Sequence, residues 1–127
     1  MPEPIEFVVE GEPRAKQSYR ASKRGGGYQT ARVKGWQADV GWAAQQAMRA
    51  IRMMDPLSCD VFVDLTFHLG DKRRVDLDNL SKAVLDGLNG ICWEDDRQVI
   101  DLHIRKIVGQ KVDSGVIVRI AQKEFIE

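Results

Sequence analysis

Residues 59–90, CDVFVDLTFHLGDKRRVDLDNLSKAVLDGLNG, change their apolar period halfway. Val61, Val63, Leu65 and Phe67 alternate with Phe62, Asp64, Thr66 and His68, the two-residue period of a strand with one buried face, and Gly70 marks its end. Beyond the turn, Leu77, Leu80, Val84, Leu85 and Leu88 share one side of a helical wheel, while Asp78, Asn79, Lys82, Asp86 and Asn89 share the other. This spacing predicts a helix over about 79–89, with Asp78 as its N-cap and Gly90 as its stop.

On the amino-terminal side, IEFVVEG predicts a strand with Ile5, Phe7 and Val9 on one face, stopped by Gly11 and Pro13. Apolar residues then recur at Val33, Trp36, Val40, Ala43, Ala47, Ile51 and Met54, the face of a long helix that Pro56 closes. On the carboxy-terminal side two strands are expected, roughly Gln98–Val108 and Gly115–Gln122, separated by GQKVDS. No internal repeat or linker interrupts the 127 residues. The order β-α-β-α-β-β predicts a single α+β domain over 1–127, a mixed sheet with two helices packed on it.

The chain is 43% hydrophobic and 30% charged, enough apolar material for one core. No apolar run is long enough for a membrane span, and the start MPEPIEFVVEGEP carries acids where a signal peptide carries bases, so the expected setting is cytoplasmic. Cys59 and Cys92 form no CxxC pair, and with only His68 and His103 beside them they do not suggest a structural zinc site. The formal net charge is zero, yet it is unevenly placed. Arg14, Lys16, Arg20, Lys23, Arg24, Arg32 and Lys34 lie in a stretch without an acid, and SKRGGGYQT inside it has the composition of a flexible loop, expected over about 14–34. Asp76 to Asp101 holds six aspartates and Glu94. A basic arm with an acidic centre suits a polyanion that also needs a metal.

Asp76 and Asp78 stand one residue apart at the start of the second helix, where crowded carboxylates repel and a cation relieves the repulsion. Arg73 and Arg74 are one available source of that cation and a metal ion is the other. Carboxylate oxygens suit Mg²⁺ or Mn²⁺. A lone DxD is common at helix starts, but here Asn79, Lys82 and Asp86 follow on the same face, and WEDDRQ supplies Asp95, Asp96 and Gln98 after the helix, where Asp96 is placed to complete the site.

The run RRVDLDNLSKAVLDGLNGICWEDDRQVID closely resembles the RusA family of Holliday junction resolvases, small endodeoxyribonucleases frequent in bacteria and their prophages. The resemblance extends to GEPRAKQSYR, the tyrosine-containing loop and the long helix, though Ser18 and Tyr19 stand where family members often have an Arg-Pro pair. It implies a RusA-like fold, Asp76, Asp78 and Asp96 as the essential metal-binding and catalytic acids, and Lys82 as a catalytic or phosphate-contacting base. Asp95 and Asp86 become supporting residues, with Asn79 beside them in the motif. The implied activity is Mg²⁺-dependent, structure-selective hydrolysis of four-way DNA junctions by paired cuts leaving 5′-phosphate and 3′-hydroxyl ends. A homodimer is expected, with one complete Asp76/Asp78/Asp96 site per subunit, because a junction has approximate two-fold symmetry.

The seven bases of the loop, with Arg73 and Arg74, are the expected DNA contacts. Lys106 is in phase with Ile100, Leu102 and Ile104, so it either snorkels at a strand end or contacts phosphate, and the resemblance adds it as a supporting base. His103, Asp101 and Arg105 are expected to form a solvent-facing polar row. Trp36, Trp42 and Trp93 read as core or dimer contacts, and the apolar last strand as further dimer material. The main rival is a noncatalytic DNA-binding protein of phage or bacterial origin whose acids only cap helices and form salt bridges. A DxD transferase is a weaker one, since 127 residues leave no room for a nucleotide-binding domain.

Overall fold

The computed structural model describes residues 3–16, 31–70, 75–109 and 114–123. Its elements are β1 (Ile5–Glu10), α1 (Ala31–Ala50), β2 (Val61–Leu69), α2 (Leu77–Leu88), a 3-10 turn (Asp96–Gln98), β3 (Val99–Val108) and β4 (Gly115–Gln122). The α+β class and the element order match the sequence-based expectation. The strands form one mixed sheet in the order β1-β4-β2-β3, with β4 antiparallel to β1 and β2, and β3 parallel to β2.

Alternation decides the two faces. Ile5 and Val9 of β1, Val63, Leu65 and Phe67 of β2, and Val116, Val118 and Ile120 of β4 are buried against both helices. Phe67 has no exposed surface, and burying such a side chain contributes about 2 to 3 kcal/mol. The helices supply Val33, Trp36, Val40, Ala44 and Met48 from α1, and Leu80, Ala83, Val84 and Leu88 from α2. Where they meet, a Cβ on Gly87 would sit 2.8 Å from the Gln37 carbonyl oxygen, and one on Gly41 would sit 2.9 Å from Ile91 Cδ1. At Gly87 the backbones approach so closely that only glycine fits.

The opposite face of the sheet carries ion pairs from Arg105 to Asp64 (2.8 Å) and Arg119 to Glu6 (2.7 Å), and His103 Nε2 lies 3.0 Å from Asp101 Oδ1. Among these, Val8, Phe62 and Ile117 are exposed. The expected polar row of β3 is therefore present. Trp36 and Trp93 are core, whereas Trp42 stands 64% exposed on α1.

Three local expectations need correction. α1 ends at Ala50, not Met54, and its deeply buried face runs through Gly41, Ala44 and Met48, with Met54 exposed. α2 begins at Leu77, so its N-cap is Asp76 and not Asp78. Arg32 and Lys34, expected in the basic loop, lie in the first turn of α1. Gly90 does follow the end of α2, with φ 82°, the left-handed conformation that glycine adopts without steric cost. No helix of the described residues is long and apolar enough to cross a membrane.

Candidate active site at the start of α2

β2 delivers the chain to the start of α2, where Asp76 caps the helix through its backbone: its carbonyl accepts the first helical bond from the Leu80 N–H at 3.0 Å. Its side chain makes no capping bond, and among the described residues it meets the Asn79 amide, at 3.5 Å. The Asp76 side chain is exposed. One turn of helix separates Asp78 from Lys82, and their side chains pair at 3.2 Å while staying mostly exposed. An acid placed four residues before a base is the favourable helical order. A second base arrives from the sheet. Lys106, on the helix-facing side of β3, donates from Nζ to the carbonyl of Val75 at 3.1 Å, next to Asp76. Asp76, Asp78, Asn79, Lys82 and Lys106 therefore gather at one end of α2.

Asp95, Asp96 and Gln98 occupy the other end. Asp95 caps the 3-10 turn, accepting from the Arg97 N–H at 2.9 Å, and this bond, helped by the nearby Arg97 guanidinium, holds its carboxyl below the ordinary value. The fully buried Trp93 donates its indole N–H to Asp96 Oδ1 at 2.8 Å. Gln98 is the residue whose role sequence reasoning missed. Its Oε1 accepts from the N–H groups of Glu94 and Asp95, and its Nε2 donates to the carbonyls of Leu57 and Cys59, all between 2.7 and 2.9 Å. Nearby, burial pushes the Cys92 thiol up to about 12.

The sequence-predicted DNA contacts divide similarly. Arg14 pairs with Glu12 at 3.2 Å, and Lys16 pairs with Asp86 at 2.7 Å. Arg32 and Lys34 are exposed. Arg20, Lys23, Arg24, Arg73 and Arg74 lie outside the described residues.

The profile described as Endodeoxyribonuclease RusA matches residues 10–121. The chain belongs to the RusA family. An Escherichia coli protein named crossover junction endodeoxyribonuclease RusA is 31% identical over 96 residues, 75% of this chain and 77% of that one. A protein of the same name from Aquifex aeolicus is 27% identical over 121 residues, 93% of this chain and 91% of that one. Another from Enterobacteria phage 82 is 42% identical over 52 residues, 40% of this chain and 43% of that one.

The RusA motif D-x-D-N-x-x-K-x-x-x-D, followed by D-D-x-Q, now has a spatial reading: its two parts bracket α2. The twelve residues of α2 separate its ends by about 18 Å. β3 gives the same answer, because the Asp96 turn feeds its first residue, Val99, while Lys106 beside Asp76 is seven residues along, about 23 Å away. Within one chain Asp96 does not complete a site with Asp76 and Asp78. The cause is topological, since β3 is parallel to β2 and the crossover helix must carry the chain back to the opposite end of the strands. Consistently, no three His, Cys, Asp or Glu side chains among the described residues converge to hold a metal ion. The donor chemistry at the start of α2 still suits a hard dication, because magnesium takes one or two carboxylates and completes its shell with water and phosphate oxygens.

Proposed function

We infer that the protein is a metal-dependent endodeoxyribonuclease that resolves four-way DNA junctions by paired phosphodiester hydrolysis. The observation that carries this reading is the exposed Asp76/Asp78 pair, flanked by Lys82 and Lys106, in a chain of the RusA family whose relatives are named crossover junction endodeoxyribonucleases. Mg²⁺, or Mn²⁺ in its place, would be held by Asp76, Asp78 and Asp96, and when bound supplies activation of water and stabilisation of charge on the reacting phosphate.

The protein's own residues account for the rest. Lys82 neutralises Asp78 in the free chain and is long enough to turn to a phosphate oxygen, where a compact cation stabilises the charge that develops in the transition state. Lys106 holds the Val75 carbonyl and so sets the turn that presents Asp76. Exposed bases bind the phosphate backbone without regard to sequence. Asp96 enters from a second subunit: a C₂ dimer that lays the Asp96 end of one α2 against the Asp76 end of the other makes two equivalent sites, one for each of two symmetry-related strands. The cytoplasm of a bacterial or prophage-carrying cell is the natural setting for such an activity.

Incubating the protein with a synthetic four-way junction and a matched linear duplex, each with and without Mg²⁺, tests this. Expected is cleavage of the junction only with metal, abolished by Asp76→Asn or Asp78→Asn while junction binding persists. Near-normal cleavage by either variant at saturating Mg²⁺ overturns the assignment. Metal-independent binding without cleavage by the unaltered chain would establish the noncatalytic alternative.

A further inference from the structure

We propose that Lys16 is a positioning residue, latched to Asp86, which fixes the chain to the face of α2 at the start of the amino-terminal basic stretch, and that it is not a phosphate contact. Four observations meet at this residue. Its ammonium lies 2.7 Å from Asp86 Oδ2, the length of a charge-assisted hydrogen bond. Both side chains are about two-thirds covered. Its backbone N–H donates to the Asn79 carbonyl at 3.0 Å, so main chain and side chain grip α2 at points two turns apart. The approach is held as well, with Gly11 N–H bonded to the Ser114 carbonyl, Pro13 buried and Ala15 packed against the core.

This geometry reverses two simple expectations. A lysine that contacts DNA neutralises a phosphate and releases the cations condensed there, whereas Lys16 is already paired with Asp86. An acid near a DNA-binding surface repels phosphate, so its removal should tighten binding. As half of a latch, its removal does the opposite. Asp78 and Lys82 occupy the same face of α2, so the latch sets how the chain at Lys16 sits against the acidic site.

The effect on DNA rests on the junction-binding reading above, so the test has one arm that needs no DNA. In the unligated protein, Lys16→Met and Asp86→Asn are each expected to speed amide exchange at residue 16, and the swap Lys16→Asp with Asp86→Lys to restore slow exchange. On a four-way junction without Mg²⁺, each single variant is expected to weaken binding by roughly three- to ten-fold, the double variant no further, as for a directly coupled pair. The slope of log affinity against log salt should stay unchanged, where a lost phosphate contact would reduce it by about one. Tighter binding by Asp86→Asn, a reduced slope for Lys16→Met alone, or unaltered exchange in both single variants would overturn the latch. Absence of junction binding by the unaltered protein would instead remove the resolvase reading and leave the exchange arm to decide.

Discussion

At the scale of single residues, three neighbours that the sequence presents as one motif have three different tasks. Asp95 caps, Asp96 is held by Trp93, and Gln98 fastens the turn to the chain entering β2. The acids were legible because carboxylates before a strand are conspicuous. The glutamine was not, because its partners are backbone groups near residue 58 and at residues 94 and 95, which no local pattern connects. Replacing it leaves two N–H groups and two carbonyls without partners, each costing about 0.5 to 1.5 kcal/mol. Gln98→Ala is therefore expected to destabilise the fold by about 2 to 6 kcal/mol, and urea unfolding monitored by tryptophan fluorescence measures it. A loss below about 0.5 kcal/mol would mean that solvent replaces all four bonds.

At the scale of elements, strands were the easier part to read, since β2 alternates clearly from Val63 to Leu69 and the sequence-based bounds of β2 and β4 fall within a residue or two of the observed ones. α1 was harder. Pro56 suggested that the helix runs to Met54, but it stops at Ala50 through a motif with no sequence marker. The Arg52 N–H bonds the Arg49 carbonyl at 3.0 Å and the Met53 N–H bonds the Met48 carbonyl at 2.8 Å, with Arg52 at φ 61°. These are the two bonds of a Schellman termination, whose left-handed residue is usually glycine. Here it is an arginine, so the signal is missing from the sequence and the backbone is strained. Arg52→Gly should relieve that strain and stabilise the protein by about 1 kcal/mol, raising Tm by roughly 3 to 5 °C in a thermal melt. A lower Tm would show that the Arg52 side chain makes contacts worth more than the strain.

At the scale of the whole molecule, the element order was legible and the strand order was not. Nothing in the local pattern of Gly115–Gln122 says that it inserts between β1 and β2, where its edges are occupied and only Ile117 among its large apolar side chains is exposed. The last strand therefore offers a partner no free edge. The edges belong to β1 and β3, and β3 leaves Ile100, Leu102, Ile107 and Val108 exposed. The same topology separates Asp96 from Asp76 and Asp78, and this makes subunit exchange the decisive experiment. If each chain held a complete site, mixing Asp76→Asn chains with Asp96→Asn chains would give only dead sites. If sites are shared, the mixed dimer has one position with Asp76 and Asp78 from the second chain and Asp96 from the first, and one position lacking both. We expect the two inactive proteins, co-expressed with different tags and purified as the heterodimer, to nick a supercoiled cruciform plasmid in Mg²⁺ and stall there, where the unaltered homodimer linearises it. Each variant homodimer should leave the plasmid supercoiled. A heterodimer as inactive as its parents would return all three acids to one chain, and would then require α2 or the turn after it to move by a helix length on binding DNA.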